Sequence, residues 1–165
     1  MFDLTIMEAA EHLLALCKRK QLTVATAESC TGGLVAGAIS AISGSSTVLD
    51  RGFITYSNRA KQQMLGVKPD TLDFYGAVSA QCAKEMAKGA LAHADVDLAV
   101  SITGIAGPTG ATPGKPVGLV HFAAASRAGQ VLTHESQYGD LGRSQVRRLS
   151  VLQALAMLTQ LAETA

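Results

Sequence analysis

The sequence predicts an α/β protein: one domain, residues 1–165, with a mixed sheet and helices on both of its sides. Three observations carry that reading. Segments with helical apolar spacing alternate along the chain with short apolar runs of strand length. Three clusters of glycine and small polar residues each sit where an apolar run ends: Glu28-Ser29-Cys30-Thr31-Gly32-Gly33, Gly44-Ser45-Ser46, and Thr103-Gly104-Ile105-Ala106-Gly107-Pro108-Thr109-Gly110. Towards the C-terminus, two strand-like runs are joined by a turn so short that they must pair antiparallel.

The first helix is read from Leu4, Ile6, Met7, Ala10, Leu13, Leu14 and Cys17, and Lys18-Arg19-Lys20 ends it with cations suited to a helix C-terminus. Residues 22–27 form a buried strand, and a second helix runs from about Thr31 to Ile42. Arg51 to Tyr56 is the next strand. Ser57 or Asn58 then caps a short helix that stops at Gly66. Ser79 caps an alanine-rich helix to about His93, followed by a strand over Val96 to Ser101. Val117 to Ala125 and Val131 to Tyr138 are the antiparallel pair, turning at Ser126-Arg127-Ala128-Gly129. A last helix spans about Leu141 to Leu161, with Val151, Leu155 and Leu158 on one face.

Composition excludes several classes of function. At 48% hydrophobic residues and positive mean hydropathy, disorder is excluded, and with 4% aromatics and no tryptophan the core is aliphatic. A net charge of +1 without a basic run argues against nucleic acid as a direct partner. No apolar stretch approaches the ~20 residues of a membrane helix, and Met1 to Ala10 lacks the basic start of a secretory signal. Cys17, Cys30 and Cys82 are scattered, and His12, His93, His121 and His134 are isolated. Neither a disulfide framework nor a metal site follows from such spacing. The expectation is a reduced, cytoplasmic protein with neither metal nor cofactor.

In an open α/β sheet, ligands bind at the carboxyl ends of strands, where helix N-termini and free backbone N–H groups converge. Three glycine-hydroxyl loops therefore point to one polar site for a small, anionic molecule. The Ser29–Gly33 turn reads either as a carboxamide or anion site or as a plain turn and helix cap; it is neither a Walker loop nor GxGxxG. Cys30 has no histidine nearby in sequence and reads better as a buried thiol than as a nucleophile. Ser45 and Ser46 gain weight from Lys61, which lies in the first turn of its helix beside Arg59. The macrodipole and the neighbouring cation both lower a lysine pKa, and a neutral amine can activate a serine where no histidine is available. Geometry resists that pairing. If residues 47–60 were fully extended, Ser46 and Lys61 would stand roughly 45 Å apart. They meet only if the chain bends after Ser46, or if a second subunit of a homodimer supplies one of them. Arg143 and Arg147, four apart at the start of the last helix, either await an anion or pair with Asp140 or Glu135. Thr103–Gly110, small at seven of eight positions, reads as a ligand loop, and Tyr56 as core or as a wall of the site.

Together, residues 26–33, Gly44-Ser45-Ser46, residues 52–58 with Lys61, Gly76-Ala77-Val78-Ser79, residues 101–108 and Lys115-Pro116-Val117-Gly118 resemble the CinA C-terminal domain family over nearly the whole chain. The resemblance implies a three-layer α/β/α sandwich and, as activity, hydrolysis of nicotinamide mononucleotide (NMN) to nicotinic acid mononucleotide and ammonia. It implies a serine–lysine mechanism with Ser46, or its neighbour Ser45, as nucleophile and Lys61 as base. Ser29, Tyr56, Thr103 and Arg143 would complete the site, and N–H groups of the Gly44–Ser46 turn, Ser45 included, would form the oxyanion hole. The alternative is a non-catalytic nucleotide-binding or interaction module linked to competence and DNA damage.

Overall fold

A computed structural model describes residues 1–165. Five strands form one sheet in the order β2-β1-β3-β4-β5. They are β1 (Val24–Glu28), β2 (Leu49–Ile54), β3 (Leu98–Gly104), β4 (Leu119–Ser126) and β5 (Val131–Gln137). β1 runs parallel to both β2 and β3, whereas β4 and β5 are antiparallel, so the sheet is mixed. Helices α1 (Leu4–Lys20), α2 (Leu34–Ser40) and α6 (Arg143–Thr164) cover one face. α5 (Ala80–Ala94) covers the other, with α3 (Asn58–Leu65) and α4 (Pro69–Tyr75) packed on it. The three-layer sandwich with a mixed sheet is as expected.

Strand alternation sends side chains of different size to the two faces. Val24, Leu98, Val100, Ile102, Val120 and Phe122 meet α1, α2 and α6 in the larger core. The opposite face presents Ala25, Ala27, Ala99, Ala123 and Ala125, mostly beneath α5, itself rich in buried alanine. The expected aliphatic core therefore has a bulky side and a thin one.

Several features escaped the sequence pattern. α4 is a one-face helix of seven residues with Pro69 at its start, too short for periodicity to reveal. Residues 45–47 form a 3₁₀ turn, and β2 already begins at Leu49 rather than Arg51. β3 likewise continues past Ser101 to Gly104, which carries Thr103 inside the strand.

Candidate active site

The chain leaves β1 for β2 on one side and reaches β3 on the other, so a crevice opens beyond the carboxyl ends of β1 and β3. A cleft of about 350 Å³ occupies that position. Ser29 and Cys30 line it from the turn after β1, Tyr56, Asn58 and Lys61 from the segment after β2, and Thr103 to Gly110 from the end of β3 and its glycine loop. Ala77, Val78 and Arg143 complete the wall. No carboxylate lines the cleft, whereas the Arg143 guanidinium does, so it favours anions.

The sheet itself positions Ser29 and Lys61. The Ser29 N–H extends the β1–β3 ladder by donating to the Ile102 carbonyl at 2.9 Å, and the Thr55 N–H donates to the Glu28 carbonyl at 2.9 Å. Two residues on, the Ser57 hydroxyl accepts from the Ala60 N–H and starts α3, which makes Ser57 the cap of the two the sequence offered. The Lys61 side chain reaches back into the protein, where its Nζ donates to Ser29 Oγ at 3.0 Å and to the Thr55 carbonyl at 2.8 Å. At 1% exposure, Lys61 is the largest fully buried side chain in the molecule, and it takes part in no ion pair.

Burial without a counter-charge pushes the Lys61 pKa down from its ordinary value. Thiolates at Cys82 and Cys30 would oppose that shift. Burial, however, raises those thiols to about 11 and about 12, so neither is ionised near neutrality.

The Ser29 turn is held from within. The carboxylate of Glu28, fully buried, accepts from Thr26 Oγ1 at 3.1 Å, Thr31 Oγ1 at 2.7 Å, and the N–H groups of Val35 and Ala36 at 2.9 and 3.0 Å. It thereby ties the start of α2 to the end of β1. The N–H groups of Cys30, Ala106 and Gly107, all in residues lining the cleft, donate to no protein acceptor.

Ser46 lies elsewhere. The 3₁₀ turn that carries it precedes β2, and Val24 at the start of β1 donates to the Val48 carbonyl just after it. In a parallel pair both strands begin at the same edge, so Gly44, Ser45 and Ser46 occupy the amino edge and Lys61 the carboxyl edge. The six residues of β2 lie between them, roughly 20 Å of strand. Ser46 is exposed, and none of Gly44, Ser45 and Ser46 lines the cleft. Within one chain Ser46 therefore does not meet Lys61, and the Gly44–Ser46 turn lies outside the cleft; the hydroxyl beside Lys61 is that of Ser29.

The other expected residues do converge. Tyr56 is 60% exposed at the cleft rim, and its hydroxyl accepts from Arg143 at 2.8 Å. Arg143 also donates to the Gly107 carbonyl at 3.0 Å, and neither Arg143 nor Arg147 pairs with Asp140 or Glu135. Thr103 lines the cleft while its hydroxyl donates to the Ala77 carbonyl at 2.8 Å, fixing the neighbouring wall. Asn58, which the sequence offered only as a helix cap, lines the cleft one helical turn before Lys61. No group of three or more His, Cys, Asp or Glu could hold a metal ion, and no helix is long and apolar enough to cross a membrane.

Comparison with known proteins places this geometry in a family. The CinA C-terminal domain model matches residues 6–162. The chain is 49% identical over 161 residues to nicotinamide-nucleotide amidohydrolase PncC of Escherichia coli K12, covering 97% of this chain and 96% of that protein. It is 47% identical over 137 residues to a putative competence-damage inducible protein of Acetivibrio thermocellus, covering 83% of this chain but only 33% of that longer protein. The crystal structure of the competence/damage inducible protein CihA from Agrobacterium tumefaciens superposes with a TM-score of 0.96 at 52% identity, covering 98% of each chain. A match of this extent, in sequence and in fold, means that the chain belongs to the CinA C-terminal domain family.

Proposed function

We propose that this protein hydrolyses the carboxamide of NMN to nicotinic acid mononucleotide and ammonia, with Ser29 as nucleophile and Lys61 as its base. One observation carries the reading: a buried lysine without a counter-ion donates to a serine hydroxyl inside an anion-favouring cleft. The kinship with PncC of E. coli supports the choice of substrate.

Neutral Lys61 takes the proton as Ser29 Oγ attacks the carboxamide carbon. The oxyanion develops against unpartnered N–H groups, that of Cys30 foremost because it directly follows the nucleophile. As the C–N bond breaks, the Lys61 ammonium returns its proton to the departing nitrogen, which leaves as ammonia. Lys61 then deprotonates a water that cleaves the ester, releasing the carboxylate and restoring the Ser29 hydroxyl. The pyridinium ring draws electrons from the carbonyl and disfavours an ammonium beside it. Arg143, at the cleft rim, serves the substrate phosphate.

The proposed reaction is one of pyridine nucleotide recycling, and the free, buried cysteines accord with a reducing compartment such as the cytoplasm. Ammonia release from NMN, measured without added metal for the wild type, Ser29→Ala and Lys61→Met, tests the proposal. Activity in the wild type that collapses in both variants supports it. A silent wild type that still binds NMN favours a nucleotide-binding module.

A further inference from the structure

Arg147 is a cation in the second turn of α6, close to a helix N-terminus where positive charge is disfavoured. It has no carboxylate partner. Its guanidinium instead donates to two carbonyls of the nucleophile turn, Nε to Cys30 at 3.1 Å and Nη2 to Thr31 at 3.3 Å. A Cβ built on Gly32, whose φ is +57°, would stand 3.5 Å from Nη2, so the guanidinium lies flush against the turn.

Peptide planarity transmits that grip. In a trans peptide the C=O and N–H point in opposite directions. Holding the Thr31 carbonyl towards Arg147 turns the Gly32 N–H away from it, and this N–H donates to the Ser29 carbonyl at 3.0 Å. Fixing the Ser29 carbonyl in turn fixes the Cys30 N–H, which points the other way and has no protein acceptor. The hold on the Cys30 carbonyl sets the Thr31 N–H, also unpartnered, in the same manner.

We infer that Arg147 is a positioning residue: through the Thr31–Gly32 amide plane and, across the Gly32-to-Ser29 hydrogen bond, the Ser29–Cys30 plane, it aims the Cys30 N–H that receives the developing oxyanion, without touching substrate. The inference rests on Ser29 being the nucleophile. It explains why a cation occupies this helix start without an anion: its ligands are the turn's own carbonyls.

The test compares Arg147→Met, which keeps the stem but donates nothing, with Arg147→Lys, which keeps the charge but not the two-pronged grip. For Arg147→Met, kcat for NMN falls by about 100-fold, the scale of losing one oxyanion donor. KM and the inhibition constant of nicotinic acid mononucleotide stay within about threefold, since ground-state binding is untouched. Arg147→Lys loses kcat in the same sense, and it decides the matter if Arg147→Met does not fold. An unchanged kcat overturns the inference. So does a rise in KM and product inhibition constant at constant kcat, which would make Arg147 an anion ligand. Ser29→Ala, assayed in parallel, separates the two levels: full activity there removes the nucleophile reading itself, whereas inactive Ser29→Ala with fully active Arg147→Met removes only the role of Arg147.

Discussion

Two glycine-flanked serine turns, 29–33 and 44–46, look alike as sequence and differ in everything that matters for chemistry. The first follows a central strand whose five residues are all buried, has a buried carboxylate at its base and has a buried lysine beside its hydroxyl. The second precedes an edge strand, with Ser46 exposed. Gly44 sits so near Lys18 that an added Cβ would stand 2.6 Å from its Nζ, but that lysine lies at the end of α1 on the protein surface. The surroundings of a serine thus follow its position on the sheet rather than the composition of its loop. Only the carboxyl edge combines strand-end anchoring, free N–H groups and a desolvated base.

The sharpest way to break this comparison is to delete each hydroxyl in turn. Ser29→Ala should lower the rate of ammonia release from NMN by about 10³-fold or more, in keeping with loss of a nucleophile. Ser46→Ala should stay within about twofold, because its hydroxyl lies outside the cleft. The reverse result would restore Ser46.

Lys61 yields the next largest effect. With its pKa lowered by burial, activity should rise with pH through that lowered value, and Lys61→Arg, which stays charged, should not follow the rise. Stability has the same sign. Between the lowered folded pKa and the ordinary value of 10.5, the unfolded chain binds more protons than the folded one. Wild-type stability should therefore increase with pH across that window, while Lys61→Met lacks this contribution. Denaturant titrations at several pH values check it.

Glu28→Gln probes what holds the first turn together. Each carboxylate oxygen faces one hydroxyl and one backbone N–H, so an amide NH₂ must oppose the N–H of Val35 or Ala36 whichever way it is turned. Unfolding free energy should fall by about 1–3 kcal/mol, the cost of a buried polar group left unsatisfied. The smallest effect belongs to Cys30. With its thiol pushed up to about 12, iodoacetamide at neutral pH should leave activity intact over the time that inactivates an accessible thiolate enzyme.

Much of the fold was legible because it is written locally. The apolar period of α1, the Ser57 and Ser79 caps and the short turn at 126–129 each lie within a few residues of sequence. α4 and the 3₁₀ turn were not, since seven and three residues cannot display a period. Within the site, Lys61, Tyr56, Thr103 and Arg143 could be named as chemistry-bearing residues at element ends. The partner of Lys61 could not, because 32 positions separate it from Ser29 and only 15 from Ser46.

Local sequence alone was enough for the layers, the glycine loops and a lysine in the first turn of its helix. Strand pairing alone decided which serine that lysine meets. Parallel strands bring their carboxyl ends together and leave their amino ends a strand's length away, so closeness along the chain opposes closeness in space. Tertiary burial also decided that the Lys61 pKa lies below its ordinary value, since desolvation depends on what the whole fold packs around it and not on the residues beside it in the chain.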